Sequence, residues 1–168
     1  MNVFRTMERE ELLRALEMFA KNWLAHDGFL AAEERFGIET AIELDANSWA
    51  RFAAAEARRI MTAFRIPENG GLQALERALG LRMYSAVNAQ HVEWSENRQV
   101  LRFFMDRCRV QEARERKGLP DFPCKSVGIV EFETFAKVVD PRIVVRCLHC
   151  PPDAPKGKYC GWEFTLLM

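Results

Sequence analysis

The sequence has 168 residues, a length typical of one domain with its own hydrophobic core. Its 24 basic and 24 acidic side chains balance, which argues against nucleic acid or an anionic membrane as the main partner, since both favour a basic excess. Glu8, Glu10 and Glu11 interrupt the segment in which a secretory signal needs an apolar stretch, and no later run is apolar enough to span a membrane. We therefore expect a single-domain cytoplasmic protein.

The first 80 residues are predicted to be helical. Apolar residues recur at spacings of three and four from Thr6 to His26, and Thr6 is placed to cap that helix. Further helical stretches follow, each bounded by a glycine or a turn. They cover residues 29–36, 38–64 (as one or two helices) and 72–79.

The character of the sequence changes at residue 81. Alternating residues predict a strand over 81–94, and the turn SENR joins it to an aromatic and branched strand over 99–107. Two more strands are predicted at 142–149 and 159–167, on either side of a loop rich in proline and charge. The segment between the two hairpins predicts a helix at 110–118. Residues 127–139 are consistent with a helix or a strand, and we expect a helix.

This order of elements predicts an α+β fold, with helices in residues 1–80 and a mainly antiparallel sheet of about four strands in residues 81–168. If the strands 99–107 and 142–149 are neighbours, the helical connection between them is a crossover and the two strands run parallel. Their carboxyl ends then meet at one edge of the sheet.

The five cysteines are predicted to lie near this edge. In a reducing compartment, clustered cysteines indicate metal binding or catalysis rather than disulfides, and their odd number agrees with this. Cys147 and Cys150 have the Cys-x-x-Cys spacing of a zinc ligand pair, and Cys160 adds a third thiolate. Cys108 or Cys124 then completes a tetrahedral site, so zinc is the predicted cofactor.

Other interpretations of the cysteines stay open. Four thiolates also hold an iron–sulfur cluster, and buried cysteines pack as small hydrophobic residues without any ligand. Dithiol exchange ranks lower, because two prolines follow Cys150 and the pair is flanked by predicted strands rather than by a helix N-terminus. A further alternative makes one cysteine a nucleophile activated by His91 or His149.

Basic residues beside Cys108 are candidates for substrate binding. Arg107 and Arg109 flank this cysteine, where a guanidinium favours a thiolate or binds a substrate carboxylate in bidentate fashion. The remaining basic residues of the segment are expected on a solvated helix face: Arg114, Arg116 and Lys117.

The N-terminal helices carry His26, Glu34 and Glu56, residue types that hold metals inside helical bundles. No Glu-x-x-His pair occurs in the sequence, so His26 is expected to interact with carbonyls at a helix end. Polar residues of the strand 81–94 either line a pocket or lie on its exposed face, which the sequence favours: Asn88, Gln90 and Glu93.

Several segments resemble an uncharacterised family of prokaryotic cytosolic proteins: "REELLRALEMFAKNWLAHDG", "EERFG", "CRVQEARERKGLPDFPCKSVGIVEFETFAKVVDPRI", "RCLHCPPD" and "YCGWEF". The ending "YCGWEF" is also similar, more distantly, to proteins grouped with L-2-amino-thiazoline-4-carboxylic acid hydrolase and with the four-vinyl reductase domain. This distant resemblance implies an α/β fold with a helical start and an antiparallel sheet, a small-molecule pocket, and C-terminal cysteines that bind metal. Cys160 and Cys124 match its pattern.

Three functions are consistent with these observations. The main prediction is a metal-binding protein whose zinc ties the sheet edge to the crossover loop. The resemblance implies an alternative, a small-molecule hydrolase in which Cys124 or Cys108 is the nucleophile or a ligand for the metal that activates water. Arg107 or Arg109 then holds a substrate carboxylate. The third prediction is a domain that binds a small molecule as a sensor.

Overall fold

Six helices and four strands form the part of the chain that the computed structural model describes, residues 7–167. The helices are α1 (Arg9–Leu24), α2 (Gly28–Phe36), α3 (Ile38–Phe64), α4 (Gly71–Leu79), α5 (Arg109–Arg116) and α6 (Lys125–Val139). The strands are β1 (Ala89–Trp94), β2 (Val100–Arg107), β3 (Ile143–His149) and β4 (Gly161–Leu166), and a 3₁₀ turn spans Met83–Ala86. This arrangement confirms the α+β fold.

Two predicted boundaries differ from the structure or lie outside it. The strand predicted over 81–94 begins only at Ala89, because the residues before it form the 3₁₀ turn, where the Ser85 hydroxyl donates to a preceding carbonyl at 2.6 Å. The cap predicted at Thr6 lies outside the described residues. Residues 38–64 form a single helix.

The sheet has the strand order β1-β2-β4-β3, and each neighbouring pair is antiparallel. The predicted parallel pairing of residues 99–107 with 142–149 is therefore wrong, since β4 lies between β2 and β3. Residues 161–164 of β4 are all buried. Both faces of the strand are covered there because β4 lies in the interior of the sheet, between β2 and β3. Because β2 and β3 both run antiparallel to β4, their carboxyl ends still meet at one edge of the sheet.

The two faces of the sheet differ in chemistry because side chains alternate along a strand. On one face Glu163 of β4 accepts hydrogen bonds from Arg102 of β2 (2.9 Å) and Arg146 of β3 (2.7 Å). The other face packs against α6 and forms the hydrophobic core together with α3 and α4. Its buried side chains are Leu101, Phe103, Ile143, Val145, Trp162 and Phe164.

The helices cover this apolar face in layers. α6 packs between the sheet and α3, and α2 packs on α3. α1 lies at the outside, where the apolar side chains of Leu13, Leu16 and Trp23 are exposed. Within residues 7–167, no helix has the length and apolar character needed to cross a membrane.

Candidate functional site

A cavity of about 660 Å³ lies between the N-terminal helices, α5, α6 and the sheet. Aromatic side chains of Phe103, Phe132 and Trp162 form part of its wall. Two groups of polar side chains meet this wall. We call them the acidic cluster, formed by Asp45, Glu56, Arg82 and Glu131, and the thiol cluster, formed by Cys124, Cys147, Cys150 and Cys160.

Arg82 holds the acidic cluster together. Its side chain is 5% exposed, and it donates from Nε to Glu56 (2.9 Å) and from Nη2 to Glu131 (2.6 Å). Glu56 also accepts the backbone N–H of Met83 at 3.2 Å. A buried charge is tolerated when it is paired and hydrogen-bonded, and Arg82 meets both conditions. The network thereby joins α3, α6 and the segment before the 3₁₀ turn.

Asp45 is the member of the acidic cluster that Arg82 does not bind. It lies on α3 in the cavity wall, one turn before Trp49. Burial raises its pKa to about 6, and the negative charge of Glu131 contributes to this increase. A hydrogen bond from the side chain of Trp49 acts in the opposite direction. Within residues 7–167, Asp45 makes no ion pair. The cluster thus holds three carboxylates against one guanidinium.

The thiol cluster forms where the carboxyl ends of β2 and β3 meet the start of α6. Cys124 is the residue before α6, Cys147 and Cys150 lie at the end of β3, and Cys160 immediately precedes β4. The sulfurs of Cys147 and Cys150 are 3.4 Å apart. Hydrogen bonds to Cys124 and Cys160 raise the pKa of Cys150. The structure therefore brings four of the five cysteines together, and Cys108 lies nearby in the cavity wall.

The geometry of the thiol cluster fits a metal only in part. Two sulfurs bound at about 2.3 Å to a tetrahedral zinc lie about 3.8 Å apart, close to the separation of Cys147 and Cys150. The thiols of Cys124 and Cys160 each contact Cys150 rather than converging with Cys147 on one common point. No set of three or more His, Cys, Asp or Glu residues within 7–167 is arranged to hold a metal ion. Zinc and the iron–sulfur cluster remain predictions.

The thiols of Cys124 and Cys108 differ in acidity. A hydrogen bond from Cys150 lowers the pKa of Cys124, and the amide nitrogen of Gln111 lies 4.0 Å from its sulfur. Burial raises the pKa of Cys108 to about 12. Since the thiolate is the nucleophilic form, Cys124 is the better candidate for a reactive cysteine.

Gln111 of α5 positions the loop that carries Cys124. Its buried side chain donates to the carbonyl of Phe122 at 2.8 Å and accepts the backbone N–H of the same residue at 2.9 Å. A buried amide with both ends satisfied fixes its neighbours, because breaking either bond leaves a polar group without a partner. The loop before α6 is therefore held at the cavity.

Arg114 was expected on a solvated face, and this prediction is wrong. Its side chain is 3% exposed and binds both carboxylate oxygens of Glu33 (2.5 and 3.0 Å) and the carbonyl of Pro120 (2.7 Å). The partner on α2 is 81 positions away in the sequence, so local spacing gives no sign of the pair. Arg116 and Lys117 are exposed.

The two arginines predicted to bind a substrate lie in different surroundings. Arg107 is exposed, pairs with Glu112 at 2.9 Å and does not line the cavity. Arg109 lines the cavity, and its Nη1 lies 3.4 Å from the carbonyl of Leu24. Of the two, Arg109 is the one placed to meet a ligand in the cavity.

The histidines predicted to activate a cysteine have other partners. His91 pairs with Asp106 at 2.8 Å, and the Nδ1 of His149 lies 2.8 Å from the carbonyl of Tyr159. Both rings stack on Phe104, on the face of the sheet away from α6. In the described part of the chain, neither histidine makes a hydrogen bond to a cysteine.

The N-terminal candidates do not form one site. Glu56 is bound to Arg82, His26 stacks on Trp23 with ring centroids 5.7 Å apart, and Glu34 is exposed.

The exposed face predicted for Asn88 and Gln90 is corrected, because both line the cavity. Asn88 also accepts the backbone N–H of Arg109 at 2.9 Å, which joins β1 to the start of α5. Glu93 is exposed as predicted. Burial of these polar groups depends on the helices that cover β1, which strand alternation does not reveal.

Trp162 carries a polar group without a partner. Its side chain is 1% exposed, and its Nε1–H makes no hydrogen bond to any residue in 7–167. The indole lies against Gly128 of α6, where a Cβ would come within 2.5 Å of its Cζ2. Glycine at this position therefore allows the ring to pack closely against the helix. Both residues line the cavity.

Residues 5–166 match a family of unknown function, DUF6125. The chain belongs to this family. The match agrees with the resemblance to an uncharacterised family, whereas the distant resemblance to the hydrolase and four-vinyl reductase groups remains a prediction. A comparison with curated proteins finds no match.

Two solved structures are similar to this DUF6125 protein. The first is a trafficking protein particle complex subunit 3 from Naegleria fowleri covalently bound to palmitic acid, with a TM-score of 0.52, 9% identity, and coverage of 92% of this chain and 96% of that chain. The second is the phenol-responsive sensory domain of the transcription activator PoxR with phenol, with a TM-score of 0.48, 15% identity, and coverage of 92% and 74%. At 9% identity, the first likeness shows the fold alone.

The DUF6125 site combines three features that sequence reasoning did not join. It has an apolar cavity, a charged network with one unpaired carboxylate, and several thiols of unequal acidity. Sequence reasoning missed Asp45, Arg82, Glu131 and Trp162. The two glutamates in the otherwise largely apolar segment VGIVEFETFAKVV were the available signal for Glu131.

Proposed function

We propose that this DUF6125 protein binds a small molecule in the cavity and acts as a sensor domain. The observation that supports this most directly is the cavity itself. Its volume of about 660 Å³ falls within the roughly 300–1,000 Å³ of small-molecule sites, and its wall combines aromatic and aliphatic side chains with polar and charged ones. Such walls bury an apolar ligand and orient it through the polar groups.

The indole of Trp162 supports the same proposal. A buried N–H without an acceptor costs about 1–3 kcal/mol, so native proteins retain few of them. Trp162 lines the cavity, so a small shift of the ring brings this buried donor to an acceptor atom of a ligand. The subunit from Naegleria fowleri also holds a largely apolar ligand, palmitic acid, in a similar fold.

A neutral fluorescent probe tests the proposal. N-phenyl-1-naphthylamine fluoresces strongly in apolar surroundings, and we expect saturable binding of one molecule per chain. Ala113 of α5 lines the cavity, so Ala113→Trp fills part of it and is expected to weaken binding about tenfold or more. The matched control is Ala50→Trp, on the exposed side of α3.

Both variants are checked by urea unfolding before binding is compared. Absence of saturable binding, or equal binding by Ala113→Trp and Ala50→Trp, contradicts a ligand site in this cavity.

The thiol cluster supports a second proposal, that Cys124, Cys147, Cys150 and Cys160 bind zinc. The supporting observation is the contact of Cys150 with the other three thiols. A small movement of these side chains towards one point is needed for tetrahedral coordination. The metal then ties β3, β4 and the start of α6 together, so its binding contributes to folding.

Elemental analysis of protein purified anaerobically under reducing conditions tests this second proposal. About one zinc per chain is expected, with loss of the metal in Cys150→Ser and retention in Cys108→Ser. Protein that contains no metal and does not take up added zinc contradicts the proposal. If the protein instead contains iron and shows a broad visible absorption band, the four thiols bind an iron–sulfur cluster rather than zinc.

A further inference from the structure

The acidic cluster at the cavity wall contains three carboxyl groups and one cation. Arg82 supplies one positive charge, which Glu56 and Glu131 share through short hydrogen bonds. Asp45 lines the same cavity and forms no ion pair within residues 7–167. A third carboxylate beside a neutralised network costs free energy, because Asp45 and Glu131 repel each other in a partly buried site.

Aromatic rings lie beside this carboxylate. Trp49 and Tyr84 both line the cavity, and their ring centroids are 5.7 Å apart. The faces of such rings attract cations, most strongly where water is excluded. Carboxylates with adjacent aromatic faces are thus suited to an ammonium group.

A separate observation indicates that a ligand belongs in this cavity. The Nε1–H of Trp162 is a donor without an acceptor on a side chain that is 1% exposed, and Trp162 lines the same cavity as Asp45. Trp162 packs on Phe132 (4.8 Å between centroids), and Phe132 lies under the guanidinium of Arg82 (5.5 Å). A continuous aromatic surface therefore leads from the free donor to the acidic cluster.

The basic side chains of the cavity wall do not cancel the charge of Asp45. Arg114 is paired with Glu33 and Lys117 with Asp27, whereas Arg109 and Arg116 line the cavity without an ion pair in residues 7–167. Neither Arg109 nor Arg116 is among the groups that shift the pKa of Asp45, whereas Glu131 is, so the acidic cluster keeps its excess of carboxyl groups.

From these contacts we infer that the ligand is an organic amine, an apolar body with a cationic nitrogen that binds between the carboxylates of Asp45 and Glu131. The inference rests on the proposed small-molecule function and adds the chemical class of the ligand. An amine supplies the charge that the cluster lacks, its N–H groups donate to both carboxylates, and its apolar part lies along Phe132 and Trp162.

Three probes with one body and different head groups test the inference. 4-Phenylbutylamine is cationic, 4-phenylbutan-1-ol is neutral and 4-phenylbutyric acid is anionic at pH 7.5. Their affinities are measured by isothermal titration calorimetry on the whole chain. We expect the amine to bind at least about tenfold more tightly than the alcohol, and the acid to bind most weakly.

Variants of α3 locate the effect. In Asp45→Asn the preference for the amine over the alcohol is expected to fall about tenfold, while affinity for the alcohol stays within about twofold. The control is Glu43→Gln, an exposed glutamate of the same helix that does not line the cavity. It changes the net charge equally and is expected to keep the preference.

The outcomes separate the two proposals. If alcohol and amine bind equally, or if Asp45→Asn keeps the preference, the inference of an amine ligand is wrong while the cavity remains a ligand site. If the acid binds most tightly, the inference is also wrong. If none of the three binds and N-phenyl-1-naphthylamine does not bind either, both the inference and the proposed function are contradicted.

Discussion

The acidic cluster and the thiol cluster meet the same cavity but are stabilised in different ways. In the acidic cluster, charged groups from α3, α6 and the segment before the 3₁₀ turn are fixed by hydrogen bonds of 2.6–3.2 Å. In the thiol cluster, the sulfurs of Cys147 and Cys150 are 3.4 Å apart, and thiols are weak donors and acceptors. The first cluster is therefore a rigid part of the fold, whereas the second is free to change its protonation or its ligands.

Because of this difference, the acidic cluster is expected to contribute mainly to stability and the thiol cluster mainly to reactivity. Removing a member of the charged network leaves a buried charge, which is costly, whereas changing a thiol alters little of the packing. We therefore expect substitutions in the acidic cluster to affect unfolding strongly and substitutions in the thiol cluster to affect reactivity and metal uptake.

The largest effect is expected at Arg82. Arg82→Met leaves Glu56 and Glu131 buried without their cation, so the free energy of unfolding is expected to fall by about 3–5 kcal/mol. Urea unfolding measures this, with Arg58→Met on the exposed side of α3 as control. A loss below about 1 kcal/mol, similar to that of the control, contradicts a rigid acidic cluster.

A smaller effect is expected where α6 meets the indole. In Gly128→Ala the new Cβ lies 2.5 Å from Cζ2 of Trp162 unless the ring moves, so the free energy of unfolding is expected to fall by about 1–3 kcal/mol. Ser126→Ala on the exposed side of the same helix is expected to be neutral or slightly stabilising. Equal stability of the two variants contradicts the close packing of Trp162 on α6.

A pH-dependent effect is expected at Asp45. Its pKa in the folded protein is about 6, above the ordinary 3.8, so its contribution to stability is present at low pH and is lost as the pH rises through about 6. After allowance for solvent screening, wild type is expected to lose about 1 kcal/mol relative to Asp45→Asn between pH 4 and pH 7.

Urea unfolding of both proteins at the two pH values measures this difference, with Glu43→Gln as control. A difference that does not change with pH shows that Asp45 is not perturbed by burial and by Glu131.

The thiols of Cys124 and Cys108 are expected to have the smallest effect on stability and a clear difference in reactivity. In protein freed of metal by a chelator, iodoacetamide is expected to modify Cys124 at least about tenfold faster than Cys108 at pH 8, because the pKa of Cys124 is lowered and that of Cys108 is raised. Mass spectrometry of peptides after short labelling times measures the two rates, and labelling in denaturant shows that they become equal. Faster labelling of Cys108 in the folded protein contradicts the assigned acidities.

The same two clusters show which parts of the site could be predicted. The cysteines are few, closely spaced and at element ends, so their convergence followed from strand ends alone, even though the predicted neighbours β2 and β3 are separated by β4. The helices and strands followed from periodicity. The position of β4 between β2 and β3 could not be predicted from periodicity, because it depends on the packing of Trp162 and Phe164 in the folded core.

The acidic cluster was not visible in the sequence. Glu56 and Arg82 are 26 positions apart, and Arg82 and Glu131 are 49 apart. Charged residues are common on exposed helix faces, so residue type alone does not distinguish a buried pair from a solvated one. Arg114 shows the same limit, since its partner on α2 is visible only after α5 packs on the N-terminal helices.

The central claim is that a small molecule occupies the cavity beside Trp162, and its indole N–H reports this directly. The measurement is a ¹H–¹⁵N spectrum during titration with 4-phenylbutan-1-ol, with Trp162→Phe used to assign the resonance. We expect the Trp162 Nε1–H signal to shift saturably as its donor gains an acceptor, while the signal of Trp94, outside the cavity, stays in place. No shift at Trp162, or an equal shift at Trp94, contradicts a ligand site in this cavity.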